Sequence, residues 1–187
     1  MHGPRHTRLR ADTAAIHSAL ERLVDDAGYF AQPELYRAYL SRMLAFHHNL
    51  DEAVPRAEAT ALARWRIYEH AAWLATDLRD LGGAAEHPGA LVQRLAKLRD
   101  FDHQIGALYV LGGSGLGACV LARRVARFAL PAGRGRNYLE GLCRTTSWPA
   151  FLAFLEAAPV ASEDAVLAGA HLTFAAILDT LSCAVPA

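Results

Sequence analysis

Cysteine is scarce in this sequence: Cys119, Cys143 and Cys183 are odd in number and far apart, with no CxxC spacing. That excludes a zinc ribbon and a disulfide framework. It predicts three buried, reduced thiols in a cytoplasmic protein. Neither sign of charge is in surplus, since 19 basic residues face 19 acidic ones. Nucleic acid is therefore not an expected partner, because phosphate binding needs a basic stripe. The opening "MHGPRHTRLRADT" has no apolar h-region, which argues against a secretory signal. No run of about 18 apolar residues is seen, so no membrane span is expected. Valine and isoleucine are sparse, which disfavours a sheet. There is no linker, repeat or low-complexity tract, and 187 residues suit one domain covering 1–187.

What is abundant is alanine and leucine, roughly a third of the chain, and that is helix-forming chemistry. From Leu9, the residues Thr13, Ile16, His17, Leu20 and Leu23 recur at helical spacing as far as a stop at Gly28. Pro33 fits the first position of a second helix, which ends before Pro55. A third runs to Gly82 and Gly83, followed by a loop at His87 to Gly89 and a short helix over 90–99. Helical pattern continues from Phe101 to Leu130, then a loop to Arg136, and two more helices start near Pro149 and Ser162. The reading is an all-α bundle of about seven helices.

The stretch "YVLGGSGLGAC" (Tyr109 to Cys119) puts four glycines into six residues between apolar runs. Gly113, Gly115 and Ala118 satisfy G-x-G-x-x-[G/A]. The dinucleotide fold also needs a strand ending in an acidic residue about twenty positions on. Here that region reads "ALPAGRGRNYLEGL". No Gly-Lys-Ser/Thr follows, so a P-loop is excluded as well. Inside a helix, each glycine costs about 1 kcal/mol relative to alanine. Two uses would offset that cost: close helix packing with a kink, or a flat ligand lying against bare backbone.

His17 sits beside the apolar side of the first helix, with Glu21 one turn further on. A carboxylate at i+4 can hold Nδ1–H and leave neutral Nε2 for a metal. Arg10, two turns before, offers an anchor for an anion. One helix thus supplies a ligand, its orienter and a cation, and another supplies a thin wall.

"LRADTAAIHSALE" resembles the first helix of bacterial haem oxygenases, and "GALYVLGGSGLGACVLARRV" resembles the distal helix of their bacteriophytochrome-associated, biliverdin-producing subgroup. "WLATDLRDLG" and "WPAFLAFLE" are similar to that subgroup too. The resemblance implies haem b as substrate and cofactor, with iron and O2, yielding biliverdin, carbon monoxide and ferrous iron. It makes His17 the axial ligand, Glu21 its partner and Arg10 the propionate contact, with Thr13 on the same helix. Gly113 and Gly117 lie against the porphyrin, Ser114 takes the distal polar position, and Tyr109 lines the pocket. Tyr138 and Arg144 are further contacts to the ring edge. Two departures stand out: Gly112 occupies a position where the subgroup has Glu, and Ala118 replaces a glycine, adding a methyl near the haem.

The implied partners are an electron donor such as ferredoxin or flavodoxin and a bacteriophytochrome receiving biliverdin; "LARRVARF" reads as the solvated face of a helix or, alternatively, as a basic landing surface for that donor. The alternative is a non-catalytic haem sensor or carrier on the same fold. His47 and His48, being adjacent, point apart and read as packing and solvated. His70 lacks the paired Glu-x-x-His of a di-iron site. His103 and His171 stand without partner spacing.

Overall fold

The computed structural model describes residues 3–84, 91–130, 134–145 and 147–182. The loop expected at His87 to Gly89 and the thiol expected at Cys183 lie outside them. Among the described residues there are nine α-helices and no strand: α1 (Pro4–Asp26), α2 (Pro33–Ala53), α3 (Thr60–Arg64), α4 (Glu69–Asp80), α5 (Val92–Leu95), α6 (Phe101–Val125), α7 (Asn137–Thr145), α8 (Trp148–Ala157) and α9 (Glu163–Ser182). A 3-10 turn over Ala96–Arg99 joins α5 to α6.

The expected third helix is two, because the chain breaks at Trp65–Tyr68 and Arg66 takes φ 59° there. Helix α7 was not visible as apolar periodicity. Gly28 and Gly82 do end helices in the left-handed region, at φ 65° and 66°. Pro33 opens α2.

α6 and α9 form the central pair and lie very close. A Cβ on Gly106 would sit 1.9 Å from the Val166 carbonyl oxygen, and one on Gly169 would sit 2.1 Å from that of His103. Both helices are long and apolar enough to cross a membrane by length and composition, with hydropathies of 1.8 and 1.5. Counting strictly unbroken apolar residues missed this. Here their apolar surface packs against each other and against α1, α2 and α7.

Carboxylates hold helix starts from a distance. Glu156 accepts from the backbone N–H groups of Arg5 and His6 at 3.2 and 2.8 Å, satisfying the first turn of α1. Asp77, fully buried, accepts from the N–H groups of Asn137 and Tyr138 at 2.7 and 2.8 Å and starts α7. Burial pushes its carboxyl up, opposed by those same N–H groups. Asp102 of α6 accepts from Ala161 and Ser162 just before α9.

Cys119 and Cys143 form a disulfide between α6 and α7, with Cα atoms 5.1 Å apart. This corrects the expectation of separate reduced thiols. Spacing along the chain hides the pair, because α6 and α7 are joined by a long excursion and only the fold brings them side by side.

Candidate functional site

α1 and α6 both pack on α9, and among the described residues two side-chain contacts join them. At the N-terminal end, the His6 ring lies edge-on to Tyr109 of α6 and to Trp148 of α8, with centroids 6.1 and 5.8 Å apart. At the C-terminal end, Arg124 bonds Asp25 at 2.8 Å. Since His6 meets Tyr109 and Asp25 meets Arg124, the two helices run parallel, and an open trough lies between the closures.

The rise of the helix sets the levels inside it. His17 is eleven residues past His6 and eight before Asp25, or about 16 and 12 Å along the axis. Gly117 is eight residues past Tyr109 and seven before Arg124, or about 12 and 10 Å. By helix rise, His17 therefore falls within about 4 Å of the level of Gly117. The imidazole is about half-exposed, at 55%. Its ring lies edge-on to Phe174 of α9 at 5.8 Å, so α9 supplies the floor. Glu21 places a carboxylate oxygen 3.6 Å from His17 Nδ1, longer than a hydrogen bond but within reach of one water.

The facing side of α6 is bare. A Cβ on Gly117 would meet nothing within 4 Å, and one on Gly113 would only touch Trp148 at 4.0 Å. Leu116 and Val120 flank them and are 57% and 53% exposed, large apolar side chains with nothing over them. The residues thus fit a flat apolar guest with a metal at its centre.

Of the residues singled out from the sequence, the structure brings His17, Glu21, Arg10, Tyr109, Gly113, Ser114 and Gly117 to the two helices bounding this trough. Arg10 is exposed and makes no ion pair among the described residues. Ser114 is exposed, and its hydroxyl donates to the Leu111 carbonyl at 2.6 Å. Thr13 is not brought there: it is buried, and its hydroxyl donates to the Leu9 carbonyl at 2.7 Å. Ala118 turns its methyl inward, 3% exposed, instead of towards the open side. Tyr138 lies buried beside His47 and His70, with ring centroids 6.2 and 5.9 Å away. Arg144 is exposed on α7 and bonds Glu140 at 3.4 Å. Gly112 lies on the packed side, where a Cβ would fall 2.7 Å from the Phe151 ring, so a larger residue needs that ring to move.

Behind α6, burial holds His47 and His70 neutral, lowering His70 to about 4 and His47 well below its ordinary value. A cavity of about 210 Å³ there is lined by Trp65, Ile67, His70, Leu111, Gly112 and Leu142 among others, and by none of the trough residues. His103, expected to stand without a partner, has one three residues before it: Asp100 Oδ2, 2.8 Å from Nδ1.

Sequence reasoning also missed His6, Trp148, Phe174 and the Asp25–Arg124 pair. His6 was detectable, since eleven residues make three helical turns and put it below His17 on one face. The others depend on where α8 and α9 fall.

The fold and the trough define an all-helical protein in which an imidazole-bearing helix stands opposite a glycine-bearing one. The chain belongs to the haem oxygenase family, whose model it matches over residues 5–181. It is 30% identical over 175 residues to the haem oxygenase PigA of Pseudomonas aeruginosa, covering 88% of this chain and 83% of that protein. Its structure is similar to that of the NO- and CO-bound haem oxygenase from Neisseria meningitidis, with TM-score 0.66, 26% identity, and 98% and 94% of the two chains covered. It shares its fold with haem oxygenase from Leptospira interrogans, with TM-score 0.68, 20% identity, and 96% and 99% covered.

Proposed function

We propose that the chain degrades haem, opening the ring at a meso carbon to give biliverdin, carbon monoxide and ferrous iron. What supports this reading most is that, by helix rise between the His6–Tyr109 and Asp25–Arg124 contacts, His17 falls within a few ångströms of the level of Gly117, whose backbone carries nothing over it. Haem, when bound, supplies the iron that activates dioxygen and the carbon that is attacked.

The protein's part is binding, orientation and restraint. His17 would hold the iron from α1, with the Glu21 carboxylate, 3.6 Å from its Nδ1, placed to orient the ring. Held by an imidazole rather than a thiolate, the iron would receive less electron density. Gly113 and Gly117 let the ring lie against α6. The open side of α6 from Gly113 to Val120 carries no carboxylate and no imidazole, so strong acids are withheld from the reacting face. Ser114, whose proton is committed to Leu111, keeps lone pairs to hold a water there. Arg10 grips a propionate and selects the ring edge. Electrons come from a ferredoxin- or flavodoxin-type donor at exposed Arg123 and Arg127. The product serves a bacteriophytochrome in the cytoplasm.

The test is a hemin titration followed by ascorbate. A Soret band that gives way to biliverdin absorbance supports the enzyme, a Soret band that persists supports a carrier, and no band overturns both. His17→Ala is expected to abolish normal ligation and turnover; an unchanged spectrum would sink the assignment. Arg10→Ala is expected to weaken hemin binding or mix the biliverdin isomers, read by chromatography.

A further inference from the structure

The glycine-bearing helix is secured unevenly. Before the glycines, Gly106 seats α6 directly on the backbone of α9. The glycine run itself is soft, since each mid-helix glycine lowers helix stability. After it, Ala118 and Val125 are buried in the core, and two further links tie α6 outward to its neighbours. One is the exposed Arg124–Asp25 ion pair, of a kind that contributes little. The other is covalent: Cys119, two residues past Gly117, is bonded to Cys143 of α7. α7 is a firm post, because buried Asp77 accepts from its first N–H groups. Cys143 is exposed on that post and open to a small thiol.

We propose that Cys119 and Cys143 form a reversible redox pair whose closure clamps the glycine-bearing half of α6 to α7 and tightens the trough for hemin. The oxidant is a low-molecular-weight disulfide such as oxidised glutathione. The Cys143 thiolate attacks it, forming a mixed disulfide and releasing one glutathione thiolate. The Cys119 thiolate then attacks Cys143 Sγ and expels the second. Two cysteine thiols are oxidised by two electrons, one disulfide is reduced to two thiols, and the protons pass from the former to the latter. In a thiol-rich compartment the pair opens again. The clamp preorganises the wall against which the ring lies, and preorganisation lowers the cost of binding. The affinity effect rests on the haem reading above; the clamp does not.

The experiment uses the full chain, equilibrated with oxidised glutathione or with dithiothreitol. Alkylation and mass spectrometry are expected to find the Cys119 and Cys143 peptides linked only in the oxidised sample. On reduction, hemin Kd is expected to rise about threefold or more. Proteolytic cleavage after Gly117 is expected to quicken by a similar factor, and Tm to fall by roughly 5–10 °C. Cys143→Ser should behave as the reduced protein in both buffers. The proposal is overturned if no linked peptide forms, or if reduction leaves both hemin Kd and cleavage changed by less than threefold. A redox-dependent cleavage rate in protein that never binds hemin upholds the clamp and overturns the haem reading.

Discussion

The two sides of α6 use the same residue for opposite ends. On the packed side, Gly106 and Gly112 are glycine because something solid already occupies the space: the backbone of α9 in one case, the Phe151 ring in the other. On the open side, Gly113 and Gly117 face almost nothing. A glycine that packing requires and a glycine that packing does not require look alike in a sequence. The second kind is the informative one, because a helix that gives up stability with no neighbour to gain is keeping room for something else.

Substitution separates the two. Gly106→Ala puts a methyl into a carbonyl 1.9 Å away and is expected to cost about 3 kcal/mol or more, enough to lose the fold; far-UV circular dichroism with urea would show it. The histidines offer the next contrast. His70, held to about 4 in the fold, refuses protons that the unfolded chain accepts near 6.5. Its contribution is whole above pH 6.5 and is lost as the pH falls from there towards 4. That amounts to roughly 3 kcal/mol, and His47 adds to it in the same direction. Urea midpoints at pH 7 and pH 4.5 should therefore diverge less in His70→Phe than in the parent. Gly117→Ala is expected to raise stability by about 0.5–1 kcal/mol while weakening hemin binding, the reverse of Gly106→Ala. Arg124→Ala, which removes an exposed ion pair, should shift stability by less than about 0.5 kcal/mol, within a degree or two of Tm.

Much of this was legible beforehand. The 3.6-residue pattern located α1, α2, α6 and α9, and Gly28, Gly82 and Pro33 marked real ends. Glu21 does lie one turn from His17 on α1, 3.6 Å from its Nδ1, and α1 touches the glycine helix through His6–Tyr109 and Asp25–Arg124. What failed shares one cause. The Cys119–Cys143 bond, the inward turn of Ala118 and the burial of Tyr138 depend on which side of a helix meets which neighbour. Periodicity within one helix does not carry that information. Gly112 belongs here too: the resemblance sets it where the subgroup has Glu, and the structure gives it a steric neighbour in the Phe151 ring. The break at Arg66 needed a backbone angle that no pattern of apolar residues encodes.

The carboxylate of Glu156 closes the start of α1 from 150 positions further along the chain. The helix that carries His17 is thus completed by a carboxylate that is made 150 residues after the turn it closes. Until the stretch around Glu156 emerges, the first turn of that helix has only water for its N–H groups. Nascent chains halted short of Glu156 will carry an α1 whose first turn frays, so the start of the helix that bears His17 is secured only by a residue made 139 positions after that histidine.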